Sequence, residues 1–114
     1  MGVKYPVRIE FRGKEISHTA CLTNKLWYNA VSERFFVENF GETWSTLKKP
    51  YKFAVMGGEV SVDKYVVLKV TMGTLSFKEE FFISDALVGV LKEKCDIVIG
   101  RRTLEKHRIK VFEE

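Results

Sequence analysis

The two histidines and two cysteines are the first residues of this chain that could do nucleophilic or metal chemistry. A nucleophilic thiol needs a neighbouring base or a positive environment. His18 precedes Cys21 by three positions, and residues at an odd offset on a strand face opposite sides of the sheet. We therefore predict no Cys–His pair and a buried, inert Cys21. His18 and His107 lie far apart without ligand-spaced partners, so the sequence predicts no metal site.

Carboxylates are the second class of candidates, because general acid–base catalysis needs two of them held together. Asp63 is expected in a turn, Asp85 at a helix cap, and Asp96 at the start of a strand, paired with a nearby arginine. Glu33 on a helix and Glu59 on a turn are expected to face solvent. No spacing among these residues predicts an acid and a base.

The two cysteines, Cys21 and Cys95, are too few for a disulfide framework and form no CxxC metal pair. Burial as small apolar residues is the first expectation for both. The chain has no Gln and is rich in Lys, Glu and Arg, which favours a hot-environment source. An intracellular disulfide is less exceptional there, so the redox state of the pair stays open.

The elements that must position these residues begin with a hairpin. Val7, Ile9 and Phe11 alternate with charged residues, and Arg12-Gly13-Lys14 supplies a turn into a second strand from Ile16 to Leu22. Apolar residues at helical spacing predict a helix from Tyr28 or Ser32 to Asn39, ending at Gly41. Residues 42–51, with Pro50, are predicted to form a loop.

Strand patterns dominate the second half of the chain. We predict two hairpins, one turning at Met56-Gly57-Gly58-Glu59 between Lys52–Val55 and Val60–Val62, the other turning at Gly73 between Tyr65–Met72 and Thr74–Ile83. The remaining predictions are a short helix from Asp85 to Leu91, a strand Asp96–Ile99, a helix Thr103–His107 and a last strand Arg108–Phe112. The sum is one mainly β domain of 114 residues, suited to a small closed barrel with two or three short helices.

The late motif Val98-Ile99-Gly100-Arg101, followed by a short helix, resembles the C-terminal signature of the retropepsin-like aspartic peptidases. Gly57 and Gly58 fall where that family has the turn of its flap hairpin. The resemblance covers most of the chain and implies the acid-protease barrel for the single domain 1–114.

The early motif of that family, Asp-Thr/Ser-Gly, is replaced here by Leu22-Thr23-Asn24, with Val31-Ser32 resembling the dipeptide that usually follows. Asn24 can keep the tight turn, since Asn is the next best residue after Gly for a left-handed conformation. Leu22 can neither take nor give a proton. The resemblance thus implies a homodimeric fold without peptidase activity and without a cofactor, whose groove binds a peptide or a protein.

Two alternatives remain. One is an active hydrolase with an unrecognised site. The other is a basic module that binds nucleic acid, because the chain carries a net charge of +4 and a basic patch. The basic patch comprises Arg101, Arg102, Lys106, Arg108 and Lys110.

Two further expectations come from residue distribution. The consecutive aromatic pairs Trp27-Tyr28 and Phe35-Phe36 cannot all face inward on a helix, so some are expected to line a groove or a subunit interface. No apolar run approaches the roughly 20 residues that span a bilayer, and charges interrupt the N-terminal segment, so we expect a cytoplasmic protein without a membrane partner.

Overall fold

The computed structural model of the chain describes residues 3–55, 57–91 and 93–112. Within them lie seven strands, three helices and a short 3-10 helix at Gly89–Leu91. The strands are β1 (Val3–Phe11), β2 (Lys14–Leu22), β3 (Ala30–Val31), β4 (Ser45–Val55), β5 (Gly58–Met72), β6 (Leu75–Ile83) and β7 (Ile97–Ile99). The helices are α1 (Glu33–Phe40), α2 (Asp85–Val88) and α3 (Arg101–Lys106).

The hairpin of β1 and β2 follows the predicted alternation. Ile9 lies opposite Ile16, and the side chains of Val7 and Ile9 are buried while their neighbours in β1 are more exposed. The hairpin of β5 and β6 turns at Gly73, whose φ of 59° is left-handed. Both hairpins were predicted from the sequence and are confirmed.

The sheet closes on itself. Its strand order is β1-β2-β7-β3-β6-β5-β4, and the middle of β1 also pairs with β5, Ile9 lying opposite Val70. The ring from β1 round to β5 is a closed barrel of six strands, and β4 lies outside it, on β5. This confirms the predicted mainly β closed barrel with short helices.

Two apolar clusters fill the molecule. The larger one fills the barrel and includes Ile9, Leu22, Phe36, Leu68 and Ile99. The smaller one lies on the other side of β2 and β7, between those strands, the outer part of β4–β5 and α2; it includes Cys21, Phe53, Phe82, Leu87, Cys95 and Val98. Because successive strand residues face opposite sides, β2 and β7 contribute to both clusters.

Strand β4 is longer than the sequence predicted. It begins at Ser45, inside the predicted loop 42–51, and its pairing with β5 shifts between Thr46 and Tyr51, where Pro50 lies. An edge strand tolerates proline because one side of it makes no ladder hydrogen bonds. Strand β5 is also continuous from Gly58 to Met72, so Asp63 lies within a strand, and the expectation of a turn was wrong.

Two serines begin the first two helices. Ser32 accepts a hydrogen bond from the backbone N–H of Phe35, and Gly41 ends α1 as predicted. Ser84 does the same for Leu87 in α2, so Ser84 is the cap and Asp85 is the first helical residue, which corrects the predicted role of Asp85. The short hydroxyl side chain suits this role because it reaches the free N–H groups of the first turn.

The C-terminal part differs most from the prediction. Helix α3 begins at Arg101, two residues before the predicted start, and the predicted strand Arg108–Phe112 is not formed. Arg108 has a φ of 56°, which turns the chain, and Ile109 and Val111 pack on the edge of the larger cluster.

Among the described residues, no helix is long and apolar enough to cross a membrane. Met56, in the predicted turn, lies outside the described residues.

Candidate functional site

The end of β2 lies beside the end of β7. Leu22 is paired in parallel with Ile99, and the backbone N–H of Thr23 donates to the carbonyl of Ile99 at 3.1 Å. The structure therefore brings Leu22-Thr23-Asn24 next to Val98-Ile99-Gly100, which are far apart in sequence. The backbone of the loop that follows is bound to the start of α3, since Arg101 N–H donates to Leu26 O at 2.8 Å and Arg102 N–H to Trp27 O at 3.0 Å.

Gly100 is the point of closest approach between this loop and β7. A Cβ at this position would lie 2.6 Å from the carbonyl oxygen of Leu26, and closer still to that of Tyr28. Only glycine fits there without moving the backbone. The late motif thus needs its glycine for a steric reason, because a side chain there would prevent the loop from packing against the end of β7.

Asn29 holds the same junction from inside. Its Oδ1 accepts from the N–H of Gly100 at 2.8 Å, and its Nδ2 donates to the Glu80 carbonyl at 3.0 Å and to Thr103 Oγ1 at 2.7 Å. The side chain is buried and joins β7, β6 and α3. Sequence reasoning missed Asn29, and the only signal was a polar residue just before the apolar pair Ala30-Val31.

The last residue of β2, Leu22, and the residue after it, Thr23, carry no carboxyl group. Leu22, where the resemblance expects the catalytic acid, is 3% exposed, and its side chain belongs to the larger apolar cluster. The next residue, Thr23, is fully buried, and its Oγ1 accepts a hydrogen bond from the backbone N–H of Lys25 at 3.0 Å. Neither a leucine nor a threonine side chain can exchange a proton at the pH values where carboxylates do.

Two of the aspartates have structural partners. Asp96 Oδ2 lies 3.1 Å from His18 Nε2, and its Oδ1 accepts from Ser32 Oγ at 3.3 Å. The predicted arginine partner of Asp96 was therefore wrong, because β2 presents His18 at this place. Asp85 Oδ1 accepts from the backbone N–H of Glu33 at 3.0 Å, which joins α2 to the first turn of α1.

The glutamates singled out in the sequence form surface ion pairs. Glu33 accepts a hydrogen bond from Lys64, and this bond raises the pKa of Lys64. Glu59, at the start of β5, forms an ion pair with Lys52 on β4, with 4.0 Å between Glu59 Oε1 and Lys52 Nζ. Glu59 is largely exposed, as expected, although it lies within β5 and not in the predicted turn, whereas Glu33 is half-buried because it packs against Lys64.

A cleft lies below the tip of the β4–β5 hairpin, and we call it the hairpin cleft. Gly57 and Gly58 occupy the tip with φ of 93° and 151°, so the predicted glycine turn does join these strands. The cleft has a volume of about 780 Å³ and is mostly apolar. Its lining residues are Lys25, Leu26, Ala54, Val55, Ala86, Gly89, Val90 and Leu91.

A second cleft of about 440 Å³, the tyrosine cleft, lies between β4, β6 and α3. Tyr28 and Tyr51 are joined there by their hydroxyl groups at 3.0 Å, and this bond raises the pKa of Tyr28. Arg102 and Lys106 also line it. Of the aromatic pairs, Tyr28 thus lines a groove and Trp27 is 44% exposed, whereas Phe35 and Phe36 are both buried.

The basic patch is exposed and partly neutralised. Arg101 Nε lies 2.8 Å from Glu105 Oε1, and Lys106 Nζ lies 3.0 Å from Glu79 Oε2, so each forms an ion pair. Arg102, Arg108 and Lys110 are also exposed and lie near them in sequence, on α3 and the segment after it. Two carboxylates therefore reduce the field that the patch presents to a phosphate backbone.

The terminal segments form an apolar surface that we call the terminal face. It surrounds a shallow cleft of about 400 Å³, and Phe112 on its rim is 86% exposed. The backbone carbonyl of Val111 accepts a hydrogen bond from Asn24 Nδ2 at 3.5 Å. The residues of the terminal face are Val3, Tyr5, Leu22, Met72, Leu75, Ile109, Lys110, Val111 and Phe112.

Cys21 and Cys95 are joined by a disulfide across 74 positions of sequence. Both are buried, as predicted, and the alternative of a disulfide left open by the sequence is the one observed. Cys21 belongs to the smaller cluster, whereas His18 contacts Phe35 of the larger one. The predicted separation of His18 and Cys21 onto opposite sides of the sheet is confirmed.

Comparison with known proteins adds no assignment. None of the protein-family models matches the chain, and no curated protein matches its sequence.

Proposed function

We propose that this protein is a retropepsin-like domain without peptidase activity, whose hairpin cleft binds an extended peptide segment. The observation that carries the proposal is the junction at the end of β2. There Leu22 and Thr23, which carry no carboxyl group, lie against β7 and Gly100, and the residues that follow line a cleft bordered by the β4–β5 hairpin. The likeness to the peptidase family rests on this arrangement and on the sequence motifs.

The hairpin cleft suits an extended apolar peptide. Its apolar lining comes from Ala54 and Val55 of β4, from Leu26, and from Ala86, Val90 and Leu91 in the segment after β6. Strand β4 is an edge strand, so within the described part of the chain one side of its backbone has no sheet partner and can pair with an added strand. Apolar side chains of such a peptide would then fill the cleft while its backbone pairs with β4.

Binding is tested with an array of short peptides taken from unfolded proteins, followed by titration of the strongest binder. We expect Val55→Asp to weaken binding at least about tenfold, because a carboxylate in an apolar wall loses its hydration when the peptide covers it. Val67→Asp is the matched control, since Val67 is exposed on β5 and does not line the cleft. Equal affinity of both variants would place the peptide elsewhere and overturn this part of the proposal.

Activity is tested on the wild-type protein with an unfolded protein substrate, from acid to neutral pH. We expect no cleavage. Strong cleavage would overturn the proposal and favour the alternative of an active hydrolase. Leu22→Asp is a poor variant for restoring activity, because it would place a carboxylate in the larger apolar cluster and destabilise the fold.

We further propose that two copies associate through the terminal face. Val3 and Tyr5 are 37% and 40% exposed and line the same cleft as Phe112, so the face resembles the apolar core of a subunit interface. The segment after Arg108 has a strand-like sequence but no strand partner among the described residues of its own chain. A second copy would supply that partner. Glu113, which follows this segment, lies outside the described residues.

Sedimentation equilibrium tests the association. We expect a dimer for the wild type and for Val67→Asp, and a monomer for Phe112→Asp, because the new charge would lose its hydration in the interface. Phe112 is so exposed in the single chain that its replacement should leave the fold intact. A wild-type monomer at micromolar concentration, or a dimer that survives Phe112→Asp, would overturn the association.

A further inference from the structure

Glu93 lies beside the disulfide of Cys21 and Cys95. One ligand atom from each of the three residues, the two sulfurs and a carboxylate oxygen, lies within 4.8 Å of the others. Both cysteines are buried and Glu93 is half-buried. Among the described residues, this is the group of three such side chains close enough to hold one metal ion.

The carboxylate of Glu93 has an unexplained environment. Its Oε2 is buried and has no hydrogen-bond partner among the described residues. The cysteines next to it belong to an apolar cluster that includes Leu87, Leu91 and Val98. A buried carboxylate oxygen without a partner is costly, and a neutral disulfide offers it no compensating charge.

We propose that the reduced form of this protein binds a borderline-soft divalent cation, such as Zn²⁺, through Cys21, Cys95 and Glu93. Thiolate and carboxylate are both zinc ligands, and three protein ligands leave the fourth tetrahedral position to water. Two thiolates on one zinc ion, each at about 2.3 Å, lie roughly 3.8 Å apart. The Cα atoms of the cysteines are 6.1 Å apart, so the backbone already holds both side chains within reach of one ion.

The disulfide must first be reduced by a two-electron reductant, for which a dithiol is the example and a phosphine with water is the laboratory substitute. The two thiols of a dithiol give two electrons and two protons to the disulfide, the Cys21–Cys95 bond breaks, and the reductant forms its own disulfide. Zn²⁺ then binds both sulfurs as their two protons pass to solvent, and the carboxylate oxygen of Glu93 completes the set of protein ligands. The nearby carboxylate of Asp96 is engaged by His18 and Ser32.

The test uses tag-free protein, either oxidised or reduced with a phosphine in the absence of oxygen, titrated with Co²⁺ and then with Zn²⁺ as competitor. We expect the reduced form to bind one Co²⁺ per chain with thiolate-to-cobalt charge-transfer absorption, and the oxidised form to show none. Glu93→Gln should bind at least about tenfold more weakly. Glu38→Gln is the matched control, because Glu38 is exposed on α1, and it should bind like the wild type.

Circular dichroism of the reduced, metal-free protein is measured first. If reduction unfolds the chain, recovery of the fold on addition of Zn²⁺ supports the proposal, and failure to recover overturns it. Absence of the charge-transfer absorption in the reduced wild type overturns it. Equal Co²⁺ affinity of Glu93→Gln and the wild type also overturns it. None of these outcomes depends on peptide binding, so the test stands apart from the proposed function.

Discussion

At the scale of single residues, Gly100 and Asn29 determine how the candidate site is built. Gly100 lets the loop after β2 approach β7 closely, and Asn29 satisfies the N–H of Gly100 together with groups of β6 and α3. Gly100 acts through the close approach of its backbone, and Asn29 acts through the hydrogen bonds of its side-chain amide. A retained glycine in the late motif therefore indicates a requirement of shape, whatever the chemistry at the end of β2.

Two glycine variants test this requirement. Gly100→Ala should lower the free energy of unfolding by about 3 kcal/mol or more, because the new methyl group meets two backbone carbonyl oxygens that cannot move independently. Gly89→Ala is the matched control. Its Cβ would meet no atom within 4 Å and its φ of −71° is helical, so we expect a change within about 1 kcal/mol, in the stabilising direction. Urea denaturation measures both, and a Gly100→Ala protein as stable as the wild type would contradict this account.

At the scale of elements, ion pairs and hydrogen bonds hold the C-terminal end of α3 against β6. Glu79 of β6 accepts from His107 Nε2 at 2.7 Å and pairs with Lys106 at 3.0 Å, and the His107 ring stacks on Phe77. Burial of Glu79 raises its pKa, but the hydrogen bonds from His107 and Lys106 outweigh that effect, and the net pKa is lowered. This side of the barrel is therefore held in part by an ionised carboxylate.

The lowered pKa of Glu79 fixes the sign of a pH effect. A carboxyl group whose pKa is lower in the folded state stabilises the fold above its ordinary pKa, about 4.3 for Glu, and loses that contribution as the pH falls through the folded-state value. Glu79→Gln should cost about 1 kcal/mol at pH 7, allowing for solvent screening, and much less near pH 3.

Chemical denaturation at the two pH values measures the effect of Glu79→Gln. Glu105→Gln is the control, because Glu105 forms an exposed pair with Arg101 within α3, and we expect less than about 0.5 kcal/mol at either pH. A penalty for Glu79→Gln that is the same at both pH values would show that the ionised form of Glu79 does not hold α3.

At the scale of the whole molecule, two features close the structure. The barrel closes through the pairing of β1 with β5, and the disulfide joins β2 to the segment before β7 across 74 positions. Disulfides persist inside cells mainly in proteins of hot environments. The cytoplasmic location and the hot-environment source inferred from the sequence stay predictions. The disulfide is compatible with both.

Reduction should destabilise the molecule markedly. Closing a loop of 74 residues is worth about 4 kcal/mol in the chain-entropy account, so urea unfolding in a metal-free, chelator-containing buffer should shift by about that amount on addition of reductant. The double variant Cys21→Ala/Cys95→Ala should be insensitive to the reductant. A wild type whose unfolding curve is unchanged by complete reduction would contradict a stabilising role.

Local patterns were sufficient for much of the fold. Alternating residues predicted β1, β2 and the β5–β6 hairpin, and Ser32 and Gly41 bounded α1, because these signals depend only on neighbours in sequence. The predicted loop 42–51 was wrong in part because an edge strand can carry Pro50 beside a register shift. Among site residues, Asn29 was missed because its hydrogen-bond partners lie 51 to 74 positions away.

By itself, the sequence determined the mainly β barrel class and the lack of an acid at Leu22 and Thr23, since both follow from residue types and local periodicity. Only the tertiary structure decided that the strand-like segment Arg108–Phe112 forms no strand, because pairing needs a partner strand and the residues that the structure describes do not supply one there. It also decided that Cys21, Glu93 and Cys95 meet. Barrel closure brings β2 to the segment before β7. The positions of these residues in the sequence do not predict that approach.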